Sequence, residues 1–226
     1  MALPPQNSDA FIREVDEELR RDQIFGFWAR YGRTVLVVIL VGLAVFAGFL
    51  YWRHHQDQQA GLTGEKLQAA VDKLSANRFT DAKPALEELT RSDRAGYRAA
   101  ARLALGGVAA QADDARTAAA RFAEVAGDAG LPQPLRDLAL IRQTAVEFDQ
   151  LPPQTVITRL QPLAQKGSAW FGSAGEMVAA AHLKAGRPEA AGPIFAAIAA
   201  DPSVPETIRT RAVQIAALLG VDNQGR

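Results

Sequence analysis

Four segments of the chain carry the same mark: a small residue, a large apolar one four positions later, and another three beyond that. They are Ala82, Leu86, Leu89; Ala118, Phe122, Val125; Val156, Leu160, Leu163; and Ala191, Phe195, Ile198. The central residues lie 36, 38 and 35 positions apart. On a helix this spacing puts all three side chains on one face, where the small member lets a neighbouring helix approach closely. Each segment therefore reads as half of a helical hairpin. Partner helices are expected at about residues 55 to 76, 95 to 112, 134 to 149 and 170 to 185, with another at 205 to 219 closing the array. The breaks fall at "SANRF", "QADD", "GDAGLPQP", "LPPQ", "QKGSAW", "AGRP" and "ADPSVP", all rich in residues that stop helices. Two helices per period of about 36 residues predict a helical solenoid. The frequent alanine and sparse strand formers after residue 53 agree with short, tightly packed helices. Without any cysteine, disulfides, thiolate nucleophiles and thiolate metal sites are excluded, so packing alone must hold the domain.

Ahead of the array, the run from Thr34 to Trp52 carries no charge and is bounded by Arg33 and Arg53. Its 19 residues make a helix of roughly 28 Å, close to the hydrocarbon thickness of a bilayer. Apolar side chains occupy every side of that cylinder, unlike a core helix of a soluble protein, which keeps a polar stripe. A cleaved export signal fits less well, because the run follows 33 residues and leaves through the bulky Phe49, Leu50, Tyr51 and Trp52. Those aromatic residues suit a membrane interface. The reading is a single transmembrane helix at 34–52. Arg20, Arg21, Arg30 and Arg33 precede it, against Arg53 and Lys66 in the twenty residues after it. That bias puts residues 1–33 in the cytoplasm and residues 53–226 in the periplasm of a bacterial inner membrane. Within 1–33, residues 1–7 are expected to be disordered, and Phe11, Ile12, Val15 and Leu19 recur at the spacing of a short amphipathic helix capped by Ser8 or Asp9.

The expected fold class is thus all-α: one N-terminal transmembrane helix, then a solenoid of helical hairpins. That solenoid resembles tetratricopeptide repeats. Leu105, Gly106, Ala118 and Phe122 in "LALGGVAAQADDARTAAARF" look like the repeat's Leu-Gly and Ala-Phe pairs, and Ala191 and Phe195 in "LKAGRPEAAGPIFAAI" repeat the second pair. The order of parts, with the exit "GFLYWRHHQDQQA", is similar to the YfgM-like family of bacterial inner-membrane proteins. That resemblance implies an ancillary role at the Sec translocon, association with the membrane-anchored periplasmic chaperone PpiD, and a repeat domain in the periplasm. It implies no catalytic residue.

Sites of chemistry are weak in the residues themselves. With 25 basic and 25 acidic side chains there is no footprint for nucleic acid. His54 and His55 are adjacent and point about 100° apart on a helix, so they do not converge on one metal. His182 lies on an apolar helix and reads as packed. Asp113 and Asp114 read as helix caps, the glycines of "ALGGVAA" as close packing, and Trp170 with Phe171 as core. Neither a cofactor nor a metal is expected, and the chain reads as a noncatalytic scaffold for envelope proteins. In the tetratricopeptide register, Leu103, Leu138, Ile141 and Phe148 fall on or near the concave side and form the expected partner-binding surface. Two alternatives stay open: a scaffold for assembling respiratory, cytochrome c or cell-wall complexes, and a membrane-bound hydrolase, which would need a pocket of convergent histidine and carboxylate groups.

Overall fold

The computed structural model describes the backbone of residues 8–221 and the side chains of residues 30–221 other than 56, 57 and 59. The expected disorder of residues 1–7 and the apolar stripe of Phe11, Ile12, Val15 and Leu19 lie outside the described residues. Among those described the chain is entirely helical: α1 (Ser8–Ser75), α2 (Phe79–Leu89), α3 (Ala95–Gln111), α4 (Ala115–Ala126), α5 (Gln133–Glu147), α6 (Pro153–Leu160), α7 (Phe171–Lys184), α8 (Pro188–Ala200) and α9 (Glu206–Leu218). It divides into two units, residues 1–62 and 63–226.

The sequence predicts three pieces where α1 is one helix. No proline occurs between Pro5 and Pro84, and the intervening glycines are isolated. A single glycine weakens a helix by about 1 kcal/mol without ending it. Within the first unit, the large apolar side chains from Leu36 to Trp52 are exposed, Val45 by 68% and Phe46 by 59%. Among the described residues this is the one stretch long and apolar enough to cross a membrane.

In the second unit the repeated triplets form the core. Eleven of their twelve residues are buried, from Ala82 at 0% exposure to Leu89 at 3%. The exception is Leu163, which is half-buried in the turn after α6 and still packs against Val156, Ile157 and Leu160. Pro162 accounts for this: it has no N–H to continue the backbone ladder, so α6 ends after eight residues. Elsewhere the helices begin and stop where the punctuation lies. Proline opens α5, α6 and α8, and Gly186 closes α7 with φ of 69°.

From α2 to α5 and from α6 to α9 each helix packs on the next, and alternate helices α3, α5, α7 and α9 also touch. Side chains tie equivalent helices together at the repeat spacing. Arg121 of α4 donates to both carboxylate oxygens of Glu87 of α2, at 2.9 and 3.1 Å. Lys184 of α7 donates to the carbonyls of Phe148 and Asp149 at the end of α5, at 3.0 and 2.9 Å. Arg211 of α9 pairs with Glu176 of α7. These contacts span 34, 36, 35 and 35 residues, which is the sequence period expressed in three dimensions.

Candidate protein-binding groove

Along one side of α3 the small residues of "RLALGGVAAQ" leave a depression that nothing in the fold fills. It encloses a cavity of about 780 Å³, within the range of ligand sites. Phe79, Leu103, Val108, Phe122, Leu138 and Val146 line it with large apolar side chains, and Ala104, Gly107, Ala110 and Ala145 with small ones. Leu74 and Ser75, at the end of α1, close one flank. Three polar or charged residues also line it, Ser75, Gln111 and Arg142, and none of its lining residues is acidic.

The two faces of α3 differ within a single step of the chain. A Cβ added to Gly106 would fall 2.6 Å from Cε1 of Phe122, so that glycine is required by the packing of α4 on α3. A Cβ added to Gly107 would meet nothing within 4 Å. The sequence reading of both glycines as close packing therefore holds for Gly106, whereas Gly107 opens onto the groove. Adjacent residues on a helix point about 100° apart, enough to move from core to cavity.

Of the four residues expected on the concave side, the structure brings Leu103 and Leu138 together across the groove. Ile141 and Phe148 lie elsewhere. Ile141 is only 8% exposed and packs with Val156, Ile157 and Leu160, so it offers a partner little surface. Phe148 caps α5, is half-buried against the same cluster, and has the Lys184 ammonium 5.4 Å from its ring centre. The rotation of α5 explains the division. Relative to Leu138, Arg142 is turned by about 40° one way, but Ile141 by about 60° and Phe148 by about 80° the other way, toward α6 and α7. Sequence reasoning missed Gly107, Arg142 and Val146, although the repeat contained the signal: Leu138, Arg142 and Val146 each lie 35 residues after Leu103, Gly107 and Gln111.

The other residues singled out by sequence have local roles. Asp114 caps α4, accepting from the Thr117 N–H at 3.0 Å, and hydrogen bonds from Thr117 hold its carboxyl below the usual carboxylate range. Asp113 instead takes a left-handed turn conformation, with φ of 57°. Phe171 is core at 5% exposure and Trp170 is half-buried beside it. His54 is exposed and its Nε2 lies 3.1 Å from Gln58 Nε2, one turn on. His182 is partly buried with no hydrogen-bond partner for Nδ1; desolvation, followed by the charge of Arg187, lowers its pKa. No cluster of three or more histidine or carboxylate groups suited to a metal occurs among the described residues.

The sequence model of the tetratricopeptide repeat-like domain matches residues 26–215, which include the apolar run and all of the helical array but the end of α9. The chain belongs to the tetratricopeptide repeat-like domain family. No curated protein and no solved structure matches it. Domains of this family's kind are typically noncatalytic protein-interaction modules, which is the class of function that a solvent-open apolar groove serves.

Proposed function

We propose that the protein is a noncatalytic, membrane-anchored interaction scaffold that captures exported proteins in the groove between α3 and α5. The observation that carries this reading is the groove itself. It is a largely apolar, solvent-open cavity lined from α3 and α5, in a family of protein-interaction domains. The apolar run at 34–52 anchors the scaffold in the bacterial inner membrane, and the excess of arginine before it sets the N-terminus in the cytoplasm and the groove in the periplasm. Anchoring raises the local concentration of the groove at the membrane surface, where secreted chains emerge. Its partners in this reading are the Sec translocon and a PpiD-like membrane-anchored chaperone, with membrane lipid contacting residues 34–52.

Photo-crosslinking in intact bacteria tests this. A benzophenone side chain at Leu138 is expected to trap translocon subunits, the chaperone or exported chains, and the same probe at Ile141 is expected to trap little. Trapping of respiratory, cytochrome c or cell-wall assembly enzymes from Leu138 would instead select the alternative scaffold role. For the topology, alkaline phosphatase fused after Arg226 is expected to be active. An inactive fusion, with a cytoplasmic fluorescent reporter bright at the same position, would overturn the orientation.

A further inference from the structure

Three of the six arginines on α3 to α5 are matched by acids of the same chain: Arg98 with Asp128, Arg102 with Glu124, and Arg121 with Glu87 and Glu124. Arg142 is exposed on the groove wall and, among the described residues, has neither an ion pair nor a hydrogen-bond partner. Among the described residues it is the only charged one lining the groove, so the wall presents one unmatched positive charge among mostly apolar side chains. A guanidinium offers a planar pair of N–H donors suited to a carboxylate. Apolar walls strengthen such a pair by displacing water once an occupant arrives.

We infer that the occupant of this groove is an apolar peptide segment bearing a carboxylate, whose charge is received by Arg142 while its apolar side chains lie against Leu103 and Leu138 over the floor at Gly107. This rests on the groove being a protein-binding surface, and it names the partner's chemistry: apolar and acidic.

The test uses the full chain in nanodiscs of zwitterionic lipid, with empty nanodiscs as background. The probes are fluorescent twelve-residue peptides with four leucines and a central Glu, Gln or Lys, read by anisotropy. The Glu peptide is expected to bind about tenfold more tightly than the Lys peptide, with Gln between them. Arg142→Glu should reverse that order, and Arg142→Gln should remove most of the difference, while both leave the thermal midpoint of the chain near its original value. Equal binding of the three peptides, or a preference unchanged in Arg142→Glu, would overturn the inference. So would concentration-dependent self-association that Arg142→Glu abolishes, because the groove would then hold a second copy. If no charge preference is seen but Leu138 still crosslinks envelope proteins in cells, the assignment of an acidic partner fails and the scaffold reading stands. If both are lost, the groove is not a binding surface.

Discussion

In the helices α7 to α9, small residues are places where another side chain already sits, whereas along the groove face of α3 they leave space. A Cβ on Gly172 would lie 2.7 Å from Val204, on Gly175 3.1 Å from Ile198, and on Gly192 2.4 Å from Val221. These glycines let α7, α8 and α9 close around Phe171, Phe195 and Ile198. Gly107 also lies on a packed helix, yet nothing approaches it. The same residue type thus stabilises one end of the array by permitting contact and shapes the other by withholding it. Composition alone cannot separate the two uses.

The largest effect should come from the filled region. Phe195 is 1% exposed, and Phe195→Ala is expected to destabilise the second unit by about 3–5 kcal/mol through lost burial and a residual cavity, measured by denaturant unfolding followed by circular dichroism. A loss under about 1 kcal/mol would mean that the α7–α9 cluster is loosely packed. Next, the adjacent glycines should respond with opposite sign. Gly106→Ala places a methyl against the Phe122 ring and should cost about 1–3 kcal/mol; Gly107→Ala meets open space and should gain up to about 1 kcal/mol from helix propensity. Equal shifts in the unfolding midpoint would erase the distinction between packing and groove glycine.

Smaller still is the contribution of the braces between repeats. Arg121→Ala should cost less than about 1 kcal/mol, because the pair with Glu87 is partly solvated, and the cost should shrink in high salt. A larger, salt-independent loss would show that the array depends on polar ties as well as on its core. The subtlest effect concerns pH. The pKa of His182 is lowered in the folded state, mainly by desolvation, so its contribution is complete above the unfolded value of about 6.5 and is lost as pH falls toward the folded value. Unfolding midpoints at pH 7 and pH 5 should therefore differ less in His182→Leu than in the original chain.

Much of this fold is legible because its two signals are local and repeated. Proline and glycine mark the breaks, and the spacing in Ala82–Leu86–Leu89 and its counterparts marks the buried faces, so helix positions follow within a few residues. The single helix α1 is not evident, since nothing in the sequence says that the apolar run and the first helix of the array are continuous; only the lack of a stop between them does. For the candidate site, Leu103 and Leu138 follow from the repeat register. Ile141 lies three residues beyond Leu138, but on a helix that small offset moves a side chain from the groove wall to the core. The contrast between Gly106 and Gly107 depends on Phe122, sixteen residues later, whose ring covers one and not the other. Such a distinction requires knowing which helix packs on which face.

Gly107→Leu, measured for both stability and capture in the full chain, asks whether the open face of α3 is where partners bind. The new side chain is expected to enter the open groove, leave the thermal midpoint unchanged or higher, and abolish crosslinking of envelope proteins from a benzophenone at Leu138. Undiminished crosslinking with the groove filled would contradict this expectation, as would a loss of stability that accompanies the loss of capture.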